Sequence, residues 1–103
     1  MAPKFIHQAE FTALTKPDAG AVIINFTASW CGPCKMIAPK VDQLAAENPA
    51  VNFVKVDLDE NEELATKLHV SAVPTFLLYV NGVKKAEVVG ANFEAIKGLL
   101  GKI

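Results

Sequence analysis

Cys31 and Cys34 are the only cysteines of this chain, and Gly32 and Pro33 alone separate them. At that spacing on a helical turn the two Cα atoms lie roughly 5–6 Å apart, within the range a disulfide spans. The pair can therefore close and reopen a bond with little movement of the backbone. The resulting ring encloses so short a stretch that it removes little entropy from the unfolded chain, which makes it a poor structural staple. A bond that forms easily and adds little stability suits thiol–disulfide exchange. Other uses of two cysteines stand beside that one. A structural zinc site needs four ligands, and beyond the pair only His7 and His69 remain as imidazole candidates, with no second knuckle in their spacing. A purely structural bridge is not required by a chain long enough to build a core. Two inert buried thiols fit poorly with Gly32-Pro33, which favours an exposed turn.

Composition narrows the function classes. With 103 residues and 51% hydrophobic content, the chain reads as one domain over 1–103. Net charge is −1, so nothing electrostatic points to nucleic acid or an anionic membrane as partner. All ten basic residues are lysines, which leaves no guanidinium fork for phosphate recognition. No apolar run approaches the roughly 20 residues of a membrane span. The opening Met1 to His7 carries no secretory apolar core, so the cytoplasm is the expected compartment, a mature organellar form being compatible with the same residues. In a reducing compartment a Cys-x-x-Cys pair is more often catalytic or metal-binding than structural.

The elements that must hold the cysteines alternate between strand and helix. Ala21 to Phe26 is nearly all apolar, as a central strand buried on both faces requires. After the motif, Ile37, Val41, Leu44 and Ala45 recur at helical spacing with Lys35, Asp42 and Glu47 on the other side, and Pro39 is expected to kink that helix. Asn52 to Asp57 follows as a strand parallel to the first through a right-handed crossover. Leu64, Ala65 and Leu68 mark a short helix. Thr75 to Val80 and Val83 to Val89 flank Asn81-Gly82, a hairpin signal. Phe93, Ile96, Leu99 and Leu100 give a closing helix ended by Gly101. A strand near Lys4 to Ile6 and a helix from about Glu10 to Lys16 complete the chain. This is an α/β arrangement, a mixed sheet of about five strands with helices on both faces. Cys31 then falls beyond the carboxyl end of a parallel strand, at a helix mouth where unpaired N–H groups favour a thiolate. The thiolate is the nucleophile of exchange.

Trp30-Cys31-Gly32-Pro33-Cys34-Lys35 resembles the active-site motif of the thioredoxin family, and the match runs from about Phe5 to the C-terminus. Pro39 matches that family's kink proline, Val73-Pro74-Thr75 its cis-proline loop, and Val89-Gly90-Ala91 its groove glycine. The resemblance implies the thioredoxin fold and a redox-active disulfide with no bound cofactor. It makes Cys31 the exposed attacking thiolate and Cys34 the resolving thiol, with Trp30, Val73, Pro74, Gly90 and Ala91 lining the groove that takes the substrate's backbone. Pro33 has no N–H to offer the sulfurs, so Gly32-Pro33 withholds one source of thiolate stabilisation and favours a reductant. The partners it implies are oxidised substrate proteins and an NADPH-dependent thioredoxin reductase.

One departure stands out. The family commonly has a buried aspartate, assigned as proton acceptor for the resolving cysteine, six positions before the first cysteine, where this chain has Asn25. An amide can donate a hydrogen bond but takes up no proton at neutral pH. The usual strand lysine is present as Lys55. Other conspicuous residues read as structural. Asp57, Asp59 and Asn61 imitate the start of a calcium loop, but Glu62 stands where its glycine belongs and Leu68 where its glutamate belongs. That acidic run reads instead as the charged start of a short helix. His69 belongs near that helix's end, His7 has no partner visible in the sequence, and Phe26, Phe53, Phe76 and Tyr79 fall in strands as packing residues.

The function expected is protein-disulfide reduction, recycled by a separate electron donor because the chain has no flavin or nicotinamide fingerprint. The alternatives are an oxidase or isomerase of secreted proteins, against which the Gly-Pro dipeptide counts, and a binding or scaffold subunit whose redox role is secondary. A monomer is expected, since no third cysteine exists to link two copies.

Overall fold

The computed structural model describes residues 3–103. In chain order the elements are β1 (Lys4–Phe5), α1 (Gln8–Leu14), β2 (Ala21–Thr27), α2 (Gly32–Glu47), β3 (Asn52–Asp57), α3 (Glu62–Lys67), β4 (Thr75–Val80), β5 (Val83–Val89) and α4 (Phe93–Gly98), which runs into a 3₁₀ turn, Leu99–Lys102. The five strands form one sheet in the order β1-β3-β2-β4-β5. β1, β3 and β2 run parallel, while β4 is antiparallel to both β2 and β5. This is the mixed sheet expected from the sequence.

β2 is the centre of the molecule because its side chains have nowhere else to go. Val22, Ile23, Ile24 and Phe26 are all at most 1% exposed. Alternate residues serve opposite faces. Val22, Ile24 and Phe26 pack with Phe11 of α1 and Leu64 of α3, whereas Ile23 packs with Ile37, Val41 and Leu44 of α2 and with Ile96 of α4. Each such side chain contributes about 1.5–3 kcal/mol when fully buried. The sheet is thus covered on both faces, and α2 is fixed to one of them along its apolar stripe.

Several boundaries differ from the sequence reading, for local reasons. α1 begins at Gln8 because Glu10 reaches back to accept the His7 N–H at 2.8 Å, and it ends at Leu14, short of Lys16. Gly101 does not end the closing helix but lies inside the 3₁₀ turn, where Leu99 is anchored in the core. Pro39 lies inside α2, on its exposed side. The hairpin turn has φ of 50° at Asn81 and 82° at Gly82. Asn81 ties it to the start of β2, accepting from Gly20 N at 2.9 Å and donating its own N–H to Gly20 O at 2.9 Å.

Candidate functional site

The β2 strand delivers the chain into Ala28-Ser29-Trp30, and α2 starts immediately after Cys31. Cys31 is the N-cap of α2, with Gly32-Pro33 in the first turn and Cys34 just inside. Proline suits that first turn because its missing N–H would lack an intrahelical partner there anyway. Cys31 and Cys34 are joined in a disulfide with Cα atoms 5.3 Å apart. The Cys34 N–H also donates to the Cys31 sulfur at 3.2 Å. When the bond is open, that N–H and the positive end of the α2 dipole favour negative charge on the Cys31 sulfur.

One expectation needs correction. Cys31 was expected to be exposed, yet in the disulfide it is 4% exposed, as is Cys34. Ala28 and Val73 pack against the pair. The two cysteines therefore differ in position rather than in burial: one caps the helix, the other lies within it. Access comes from the neighbours. Gly32 and Pro33 are exposed, and Trp30 is 64% exposed.

The residues expected to form a groove gather at the proline loop and at the first turns of α2. Val73 packs on the cysteine cluster, and the Val73–Pro74 bond is cis with Pro74 buried. Gly90, with φ of 106°, donates its N–H to Pro74 O at 2.8 Å, so the β5 end is tied to the proline loop. Ala91 lines a shallow hollow of about 390 Å³ with Pro33, Met36 and Lys40. Met36 is 82% exposed on the same side of α2. Together these make a largely apolar surface around a reducible bond.

Beside Cys34 lies a cleft of about 220 Å³, where Lys35, Lys55, Asp57, Thr27 and Ser29 meet the apolar Phe5, Ala28 and Ala38. Asn25 on β2, the register partner of Lys55 on β3, is 5% exposed, and its Oδ1 has no hydrogen-bond partner among the described residues. Lys55 also has a second polar neighbour, Asp42 on α2, 3.7 Å from its ammonium. That contact is at ion-pair distance only, since Asp42 Oδ1 has no hydrogen-bond partner among the described residues. The Lys55 ammonium also lies 5.7 Å from the Phe5 ring centre.

The sequence reading did not anticipate three contacts. The Trp30 indole N–H donates to Asp59 at 2.8 Å. Asp57 accepts the N–H groups of Asp59 and Glu60 at 2.9 and 3.3 Å, which folds the acidic run into a turn rather than a cation loop. His7 meets Asn61 at 3.1 Å. No local pattern could have disclosed the Trp30–Asp59 and His7–Asn61 pairs, which join residues far apart in sequence. His69 is exposed just past α3 with φ of 60°, in a turn that donates its N–H to Thr66 O at 3.1 Å. Among the described residues no group of three or more His, Cys, Asp or Glu side chains is arranged to hold a metal ion.

Comparison with known proteins agrees with this geometry. The thioredoxin family model matches residues 2–102. Thioredoxin-1 of Saccharomyces cerevisiae is 45% identical over 97 residues, covering 94% of this chain and 93% of the relative. A thioredoxin of Geodia cydonium is 50% identical over 88 residues, covering 82% of each. Among solved structures, Fasciola hepatica thioredoxin superposes with a TM-score of 0.87 at 38% identity, over 96% of both chains. Oxidised mitochondrial thioredoxin 3 of S. cerevisiae gives 0.90 at 36% identity, over 99% of this chain and 95% of that one.

Proposed function

The chain belongs to the thioredoxin family, and from that premise we propose a division of labour between its two cysteines. The protein is a thiol–disulfide oxidoreductase that reduces protein disulfides by dithiol exchange, and its Cys31–Cys34 bond is the redox centre. Cys31 is the attacking sulfur. The observation that carries this is the helix cap: the Cys31 sulfur receives the Cys34 N–H at the N-terminus of a 16-residue helix, where a thiolate is favoured. Its thiolate attacks a substrate disulfide, and the mixed disulfide places the substrate over Trp30, Val73, Pro74, Gly90 and Ala91. Cys34 then attacks the Cys31 sulfur, releasing the reduced substrate and leaving the disulfide described above.

Family membership supports recycling by a separate reductase, and we identify the donor class as an NADPH-dependent flavoprotein. Its docking would use the same apolar rim, since it must present its own dithiol to the same bond. We take the working form to be a monomeric single domain in the cytoplasm, where thiol pools keep such a pair reduced. The test is insulin reduction, first with dithiothreitol and then with NADPH and a thioredoxin reductase. Turnover in both, lost in Cys31→Ser, is expected. No turnover with either electron source contradicts the reading.

A further inference from the structure

Resolution requires that Cys34 lose a proton, and Asn25 cannot take one. The cleft beside Cys34 offers another acceptor. Asn25 pairs with Lys55 and Thr27 with Asp57 in the parallel β2–β3 register, and these four share the sheet face that carries Ile23 and Phe53 beneath α2. Thr27, Lys55 and Asp57 all line the 220 Å³ cleft together with Cys34. Lys35 on α2 is the remaining charged group lining it, and Asp42 on α2 faces Lys55. Asp59 lies in the adjoining turn and is held by the Trp30 indole, with Glu60 exposed beside it. The ammonium groups have no lone pair to offer at neutral pH, and the Ser29 and Thr27 hydroxyls relay protons rather than keep them. Among the described residues Asp57 is the one carboxylate in the lining. Its Oδ1 is used by the turn, while Oδ2 has no hydrogen bond among the described residues.

We propose that Asp57 accepts the Cys34 proton during resolution, through solvent in this shared cleft, and so serves where Asn25 cannot. The inference rests on the assignment of Cys34 as the resolving thiol. In the step, the Cys34 S–H bond breaks and its proton passes by water to the Asp57 carboxylate. The Cys34–Cys31 bond forms as the bond between Cys31 and the substrate sulfur breaks. The electron pair leaves on the substrate sulfur, which takes a proton from solvent. The two cysteines are oxidised by two electrons in all across the full reaction, and the substrate disulfide is reduced by two. Asp57 then returns its proton to bulk water through the open cleft.

The test is Asp57→Asn in the full chain, because asparagine keeps an oxygen for the Asp59 and Glu60 N–H groups and removes only the base. Reduced protein is mixed with saturating oxidised peptide, and release of the peptide thiol is followed by rapid quench from pH 5.5 to 9.5. General-base assistance predicts that the variant is about 100-fold slower at pH 6, the low end of what such bases supply. Its rate should climb about tenfold per pH unit toward pH 7.5, then meet the parent near pH 9, where the thiolate forms unaided. A purely electrostatic effect has the opposite sign, since removing a nearby negative charge favours the thiolate and speeds the variant at pH 6. A variant equal to or faster than the parent at pH 6 overturns the proposal. Asp57→Ser, which also keeps an acceptor for the turn, gives the same readout should the asparagine variant fail to fold. Cys34→Ser run in parallel separates the two readings: if it does not accumulate a mixed disulfide, the resolving role fails; if it does while Asp57→Asn shows no pH-dependent loss, Asp57 alone fails.

Discussion

Asn25→Asp would restore a carboxylate at a site built around an amide, and its cost can be worked from the surroundings. The residue is 5% exposed, lies opposite the fully buried Phe76 on β4, and the cation beside it in register, Lys55, lies 3.7 Å from the carboxylate of Asp42. Burial of this kind raises a carboxyl group's pKa, by up to 3–5 units when complete. Taking a rise of about 2 units, moderated by what Lys55 can supply, the folded value becomes about 5.9 against an unfolded value of about 3.9. The folded state then holds the proton more tightly than the unfolded one, so the penalty is absent below the unfolded value. It grows between the two values and levels off above the folded one. That gives about 0.1 kcal/mol at pH 3, about 1.5 at pH 5 and about 2.7 at pH 8. For a domain of this size the last figure lowers Tm by about 10–20 °C. Thermal melts of the oxidised parent and variant at the three pH values, read by the single tryptophan, Trp30, check it. A loss of stability that is the same at all three pH values would refute the reasoning, because it could not come from ionisation. Adding Asp42→Asn frees Lys55 for the new carboxylate and should recover part of the loss at pH 8.

Two further outcomes follow from other parts of the fold. A Cβ at Gly82 would sit 2.5 Å from Thr15 O and 3.2 Å from the Lys16 backbone, at a φ of 82°. Gly82→Ala should therefore cost about 2–4 kcal/mol, adding the left-handed conformation to the forced shift of backbone, as read by denaturant midpoint. Burial, the main influence, raises the Tyr79 hydroxyl above the usual tyrosine value, as Glu87 does to a lesser extent, with Lys84 opposing them. The unfolded chain ionises first as pH rises, so stability falls above about pH 10, and Tyr79→Phe should flatten that alkaline limb in pH-dependent melts.

The layered fold was legible because its signals are local. The apolar run of β2, the helical spacing of Ile37, Val41 and Leu44, and Asn81-Gly82 each report on their own neighbourhood, and both hairpin strands came out with the expected bounds. The cysteine pair was legible for the same reason, since capping and disulfide closure are set by adjacent residues. What escaped was the part assembled across the fold. Trp30 meets Asp59, and Asp57 meets the cleft behind Cys34, only because β2 and β3 lie side by side in a particular register. The burial of Cys31 escaped too, since it depends on Val73 arriving from a distant loop. Lys55 could be singled out by the family resemblance, but its nearness to Asp42 depends on how α2 lies across the sheet.

The division of roles between the cysteines is tested most directly by trapping. Reduced Cys31→Ser and Cys34→Ser proteins are exposed to the same oxidised protein substrate, and adducts are counted by non-reducing mass spectrometry. Cys34→Ser should accumulate a stable one-to-one mixed disulfide through Cys31, while Cys31→Ser should give none on the same timescale. Adducts formed through Cys34 in the Cys31→Ser protein, with none in its counterpart, would contradict the account.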